Sequence, residues 1–203
     1  MMFGGGGYSF DQLIEMYLKQ YGPEIEGDAD LRNKRLAGDF VVQPDAPAEE
    51  YRAALEKIIS DEVGKPVKLT IREVERPVYT LKGKWQYARV EALKDQPQRG
   101  GEQIEIYGRD LNKNMRYGGG GGGNLTELAG WVSRWIERQT IIEATDAPPQ
   151  VGWHMNTDGD GSPESRQKAK DPELVIKHLE EQTGLKATME TRRVKRLFVE
   201  ADK

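Results

Sequence analysis

"AALEKIISDEVGKPVKLTIREVERPVYTLKG", Ala53 to Gly83, reads as an amphipathic helix closed by a glycine and followed by two extended segments. Gly64 is the residue best suited to a left-handed C-cap. The same order returns 120 residues later in "ELVIKHLEEQTGLKATMETRRVKRLFVEADK", Glu173 to Lys203, where Gly184 closes the helix. Gly64/Gly184, Arg72/Arg192, Val74/Val194 and Arg76/Arg196 are identical pairs.

A second echo lies upstream at an offset of 115 residues. "MMFGGGGYSFDQLIEMYL" (Met1 to Leu18) and "MRYGGGGGGNLTELAGWV" (Met115 to Val132) each pass from a glycine run into a helix start. "SFDQ" and "NLTE" both fit a capping box, in which a short polar side chain caps an amide three residues on and Gln or Glu reaches back. Leu13, Ile14, Tyr17, Leu18 and Tyr21 then keep helical spacing, as do Leu125, Leu128, Ala129, Val132, Trp135 and Ile136. The expectation is an α+β protein of two tandem helix/strand repeats, with helices packed on mainly antiparallel sheets. The repeats span 1–84 and 115–203, and 85–114 connects them through a strand in "EQIEIYGRDL". "KPVKLTIREVERPVYTLKG" and "LKATMETRRVKRLFVEAD" are expected to form corresponding hairpins.

Glycine ahead of a helix suits anions. Neither run, however, leads into Gly-Lys-Ser/Thr or follows a strand as Gly-x-Gly-x-x-Gly. Six consecutive glycines are costly to order, which favours a mobile loop. "MNTDGDGSPESRQKAKDP", Met155 to Pro172, reads as a second polar, mobile loop.

Among 203 residues, 30 are basic and 34 acidic, giving a net charge of −4. That near balance argues against nucleic acid or an anionic membrane as the main partner. No apolar run reaches the ~20 residues of a membrane span, and no export signal precedes the first glycines, so the chain reads as mature or as a fragment. Without cysteine there are no disulfides, thiolate nucleophiles or Cys-type zinc sites.

The best metal candidate is "NTDGDGSPESRQ". Asn156, Asp158 and Asp160 fall at positions one, three and five of a calcium loop, with glycine at six. Gln167 stands where a bidentate Glu belongs, and Asn replaces Asp at position one, so the calcium-free reading is preferred and no cofactor is expected. His154 and His178, with no HExxH, make a poor zinc set, and His178 is read as a helix residue at the edge of the core. No Gly-x-Ser-x-Gly is present. "ETRRVKR", Glu190 to Arg196, reads as a charged edge strand guarded against aggregation. Trp85, Tyr87 and Tyr107 are the expected partner surface if exposed, since Trp and Tyr concentrate binding energy. The alternative is that they fill the core between the halves.

"LIEMYLKQY…DFVVQPDAPAEEYRAALEKIISDEVGKPVKLTIREVERPVYTLKG", "TELAGWVSRWIERQTIIEATDAPPQVGWHMN" and "DPELVIKHLEEQTGLKATMETRRVKRLFVEAD" together resemble a bacterial domain of unknown function. That family occurs in secreted and membrane-attached proteins of soil and aquatic bacteria, often joined to thioredoxin-like or metallopeptidase-like modules. "EATDAPPQVGWHM" departs from the family's Gly-Leu-Thr-Gly turn, keeping only Thr145. The resemblance implies an extracytoplasmic, non-catalytic binding or scaffolding domain within a larger cell-envelope protein, with a protein or envelope component as partner. The alternative is a hydrolase-type enzyme with a site between the repeats, using carboxylates and His154.

Overall fold

The computed structural model describes residues 2–3, 7–18, 22–37, 40–41, 46–93, 101–108, 116–157 and 162–201. In chain order the elements are β1 (Met2–Phe3), β2 (Tyr8–Ser9), α1 (Phe10–Leu18), β3 (Ile25–Gly27), α2 (Ala29–Asn33), β4 (Arg35–Leu36), β5 (Phe40–Val41), α3 (Ala48–Val63) and β6 (Val67–Lys84). There follow β7 (Gln103–Ile106), β8 (Arg116–Gly123), α4 (Leu125–Ile136), β9 (Thr140–Thr145), β10 (Val151–Thr157), α5 (Pro163–Lys168), α6 (Pro172–Thr183) and β11 (Lys186–Ala201). Helices and strands are intermixed throughout, so the class is α+β. Among the described residues no helix is long and apolar enough to cross a membrane.

Short-range chemistry sets the helix limits. α1 and α4 both open on capping boxes. Gln12 N–H donates to Ser9 Oγ (3.3 Å) while Ser9 N–H donates to Gln12 Oε1 (2.8 Å). The Asn124/Glu127 pair repeats this at 3.0 Å in both directions. α3 and α6 close on Gly64 and Gly184, each at φ 70, whose N–H groups return to Ser60 O and Glu180 O. The same two helix positions then steer the strands. Val67 N–H donates to Ser60 Oγ and Ala187 N–H to Glu180 Oε1, both at 2.8 Å.

The expected hairpins are absent: β6 and β11 are each one long strand. Neither "REVERP" nor "ETRRVKR" offers the Asn-Gly or Gly-x pair that a tight reversal needs, so the chain runs straight on. β11 stands between β3 and β6 in the strand order, with β3 pairing at Leu197 to Val199, beyond the charged stretch. Its arginines pair with acids instead, Arg192 with Glu143 and Glu190 and Arg193 with Glu73.

The chain divides into two compact units. Unit 1 contains Met1–Arg76 and Arg193–Lys203. Its core joins Phe10, Leu13 and Ile14 of α1, Leu55 and Ile59 of α3, Val67 and Leu69 of β6, and Leu197 and Val199 of β11. β3 pairs there with β11 in parallel, Ile25 beside Leu197. Unit 2 is Pro77–Arg192. Its core packs Leu128, Val132 and Ile136 of α4 and Val175, Ile176 and Leu179 of α6 with Leu81, Ile104, Ile106, Val151, Trp153 and Met155. Here β9 pairs with the end of β6 in parallel, Thr140 beside Tyr79. β7 and β10 are parallel as well. The sheets are therefore mixed, not mainly antiparallel. Pairing between segments far apart in the chain is free of the hairpin constraint that would have made neighbours antiparallel.

Candidate functional site

Unit 2 carries a three-stranded sheet in the order β7-β10-β8. Alternation along β10 sends Val151, Trp153 and Met155 into the core and Gly152, His154 and Asn156 to the other face. The β7–β10 register sets Glu105 beside His154 on that second face. Glu105 is buried at 6% exposure and Asn156 at 2%. Asn156 Nδ2 donates to Glu105 Oε2 at 2.5 Å, and His154 Nδ1 lies 3.4 Å from Oε1. A buried carboxylate needs such partners to offset its lost hydration.

The second glycine run is β8, an ordered strand, where a mobile loop was expected. β10 explains why it is made of glycine. A Cβ on Gly121 would stand 2.8 Å from the Trp153 ring, and one on Gly120 2.8 Å from His154 Cδ2 and 2.5 Å from Trp153 O. The indole lies across the strand on the core face and the imidazole on the other. Burying that indole offsets the ordering cost of glycine.

The two edges of this sheet differ. Along β7, residues 103, 105 and 107 face away from β10, and side chains engage four of their main-chain groups. Tyr87 Oη donates to Gln103 O at 3.1 Å. Gln182 of α6 takes both groups of Glu105, accepting from its N–H and donating to its C=O, each at 2.8 Å. His178, one turn earlier, places Nδ1 2.9 Å from Tyr107 O. A carbonyl only accepts, so Nδ1 carries the proton. Along β8 the arrangement is opposite. Gly152 N–H donates to Glu102 O, so Gly152 faces β7. By the alternation of an antiparallel ladder, its partner Gly122, and likewise Gly120, turn their N–H and C=O outward. Gly119 through Gly122 are exposed, and among the described residues no strand pairs with that outer edge.

Trp85, Tyr87 and Tyr107 converge on β7, and Trp85 and Tyr107 are buried, the core-filling alternative. Trp85 is 5% exposed and its Nε1 donates to Glu102 Oε2 at 2.6 Å. Tyr107 is 6% exposed and stacks on His178 with centroids 4.0 Å apart. Tyr87 is half-buried against the core. All three serve unit 2's own packing. Gln182 escaped sequence reading, although a polar i, i+4 pair with His178 among Val175, Ile176 and Leu179 is a recognisable signal for a helix facing a strand edge.

Asn156 lies within β10, and the rest of the candidate calcium set, Asp158 and Asp160, lies outside the described residues. β10 and α5 occupy much of the expected second loop, so Met155 to Thr157 and Pro163 to Lys168 are regular structure. Among the described residues no group of three His, Asp or Glu side chains could hold a metal ion. A groove of about 360 Å³ runs beside α6, lined by Arg89, Glu91, Tyr107, His178, Glu181 and Gln182 with the chain around them. Gln86 and Ala88 hold its wall by donating their N–H groups to Thr183 O and Gln182 O at 2.8 Å.

The strongest charge cluster sits apart from this sheet. Hydrogen bonds from Lys82, then Thr188 and Arg192, lower the Glu190 carboxyl from its ordinary 4.5 to about 2. Arg192 likewise holds Glu143 low. No family model, curated protein or solved structure matches this chain.

Proposed function

We propose that this chain is a non-catalytic binding domain that takes up an extended polypeptide as an added strand on the outer edge of β8. The observation that carries this reading is an exposed glycine run on an edge strand, in a sheet whose other edge is engaged by Tyr87, His178 and Gln182. Main-chain pairing supplies affinity in strand addition. Gly120 and Gly122 offer two N–H and two C=O groups, each bond worth roughly 0.5–1.5 kcal/mol net. The partner's bulky side chains can lie across the glycine rows, as Trp153 and His154 already do from the other side. The test is selection of linear peptides from a displayed library on the wild type and on Gly122→Pro, which removes one outward N–H. Peptides that bind the wild type and not the variant support the reading. No enrichment, or equal binding to both, contradicts it.

The tandem-repeat reading is supported by register. In unit 2, Gly123 pairs with Val151 and, past a one-residue shift, Tyr117 with Asn156. Subtracting 115 from each number gives Tyr8 with Leu36 and Met2 with Val41, two of the pairings of unit 1. On this reading each unit is completed by the other repeat's long strand, β11 ending beside β3 and β6 ending beside β9. Truncation after Arg192 tests the exchange. It removes Leu197 and Val199, so unit 1 should lose protection from hydrogen exchange while unit 2 keeps it. Equal loss in both units contradicts it.

An extracytoplasmic setting within a larger envelope protein rests on the family resemblance. Fractionation of cells producing the full-length gene product tests it, and recovery in the cytosol contradicts it. The hydrolase reading draws on the His154–Glu105 approach. At 3.4 Å that contact is at the long limit of a hydrogen bond, and Asn156 holds the other carboxylate oxygen.

A further inference from the structure

Independently of the β8 edge, the groove beside α6 contains a polarised imidazole. His178 is 8% exposed, and its Nδ1–H is committed to Tyr107 O. In the neutral ring this fixes the tautomer and leaves the lone pair on Nε2. Among the described residues no group hydrogen-bonds Nε2. A backbone carbonyl fixing one ring nitrogen is the arrangement that prepares the other for a ligand. The rest of the lining is rich in acceptors. Glu181 lies one turn beyond His178 on the same helix face, Glu91 comes from the short helix Glu91–Leu93, and Gln182 is already engaged with β7. Arg89 also lines the groove. Lys177 approaches Glu181 at 3.9 Å, in an exposed pair of the kind that holds little energy.

We infer that this groove is a binding site for a primary ammonium group. Its N–H donors match the Nε2 lone pair of the neutral ring and the exposed Glu181 carboxylate. A volume of about 360 Å³ suits a small amine or a single lysine side chain. The two sources share this chemistry, so both serve as probes: 1,4-diaminobutane for a free amine, and N-acetyl-lysine amide for a lysine in a polypeptide.

The experiment is NMR of the full chain with ¹⁵N-labelled histidine. The free protein should show His178 as the Nδ1–H tautomer. Titration with either probe should shift Nε2 saturably below about 10 mM. Glu181→Gln, at an exposed position where folding is not at stake, should weaken binding by about threefold or more, because an ammonium near a carboxylate loses its charge partner. Saturation by the diamine alone assigns the groove to free amines, and saturation by the lysine amide assigns it to protein lysines. The inference is overturned by an Nε2–H tautomer, by no saturable shift with either probe, or by equal affinity in Glu181→Gln.

Discussion

The two edges of the β7-β10-β8 sheet lie two strands apart and are built by opposite rules. On β7, a tyrosine, a histidine and a glutamine occupy the outward main-chain groups. On β8, the glycines from Gly119 to Gly122 are exposed and carry no side chains to cover the outward main-chain groups. Exposed edges invite pairing with other chains, and proteins usually blunt them with charge, proline or a cover. One edge of this sheet is covered in that way and the other is not. The bare edge lies opposite the strand whose Trp153 and His154 require glycine. Fit to β10 and access from outside thus have the same sequence solution.

The largest effect should come from disturbing that fit. Gly121→Val puts branched carbon where the Trp153 ring lies, and overpacking of this kind costs about 1–3 kcal/mol or more. Urea unfolding followed by tryptophan fluorescence should show it. An unchanged midpoint would mean that the glycine is not needed for packing. Next comes the sealed edge. Gln182→Leu leaves Glu105 N–H and C=O buried without partners, at about 1–3 kcal/mol for each unsatisfied group. A loss below about 0.5 kcal/mol would show that water or another group replaces the amide. Gly122→Pro separates binding from stability. Proline is tolerated on an outward edge position, so unfolding should shift by less than about 1 kcal/mol while peptide binding disappears. A large destabilisation would place that N–H in the ladder to β10.

The smallest effect lies away from both edges. The folded Glu190 carboxyl titrates at about 2, below its ordinary 4.5, so its contribution is present above pH 4.5 and fades as pH falls toward 2. Glu190→Gln should therefore lower the thermal midpoint slightly at neutral pH and flatten its decline in acid. Parallel declines in both proteins would remove Glu190 from the account.

What was legible in the sequence was local. The capping boxes at Ser9 and Asn124 and the closing glycines at 64 and 184 form as their spacing indicates, because each depends on residues three or four apart. Strand direction was not legible. β3, β7 and β9 find parallel partners across long stretches of chain, and hydrophobic alternation carries no information about direction. The glycine run was misjudged for a related reason. Its ordering cost is visible in the sequence, but the indole and imidazole that offset it come from β10, some thirty residues away. Trp85 is buried with Glu102 accepting from its indole, Tyr107 with its ring stacked on His178, and neither contact follows from spacing.

Hydrogen exchange by NMR at single amides tests the contrast between the edges most directly. In the free protein the Glu105 amide, held by Gln182, should exchange slowly, while the Gly120 and Gly122 amides exchange at nearly the rate of an open chain. A saturating peptide selected on the wild type should then slow Gly120 and Gly122 and leave Glu105 unchanged. Protection of Gly120 and Gly122 in the free protein to the level of Glu105, or no added protection with peptide bound, would contradict β8 as the binding edge.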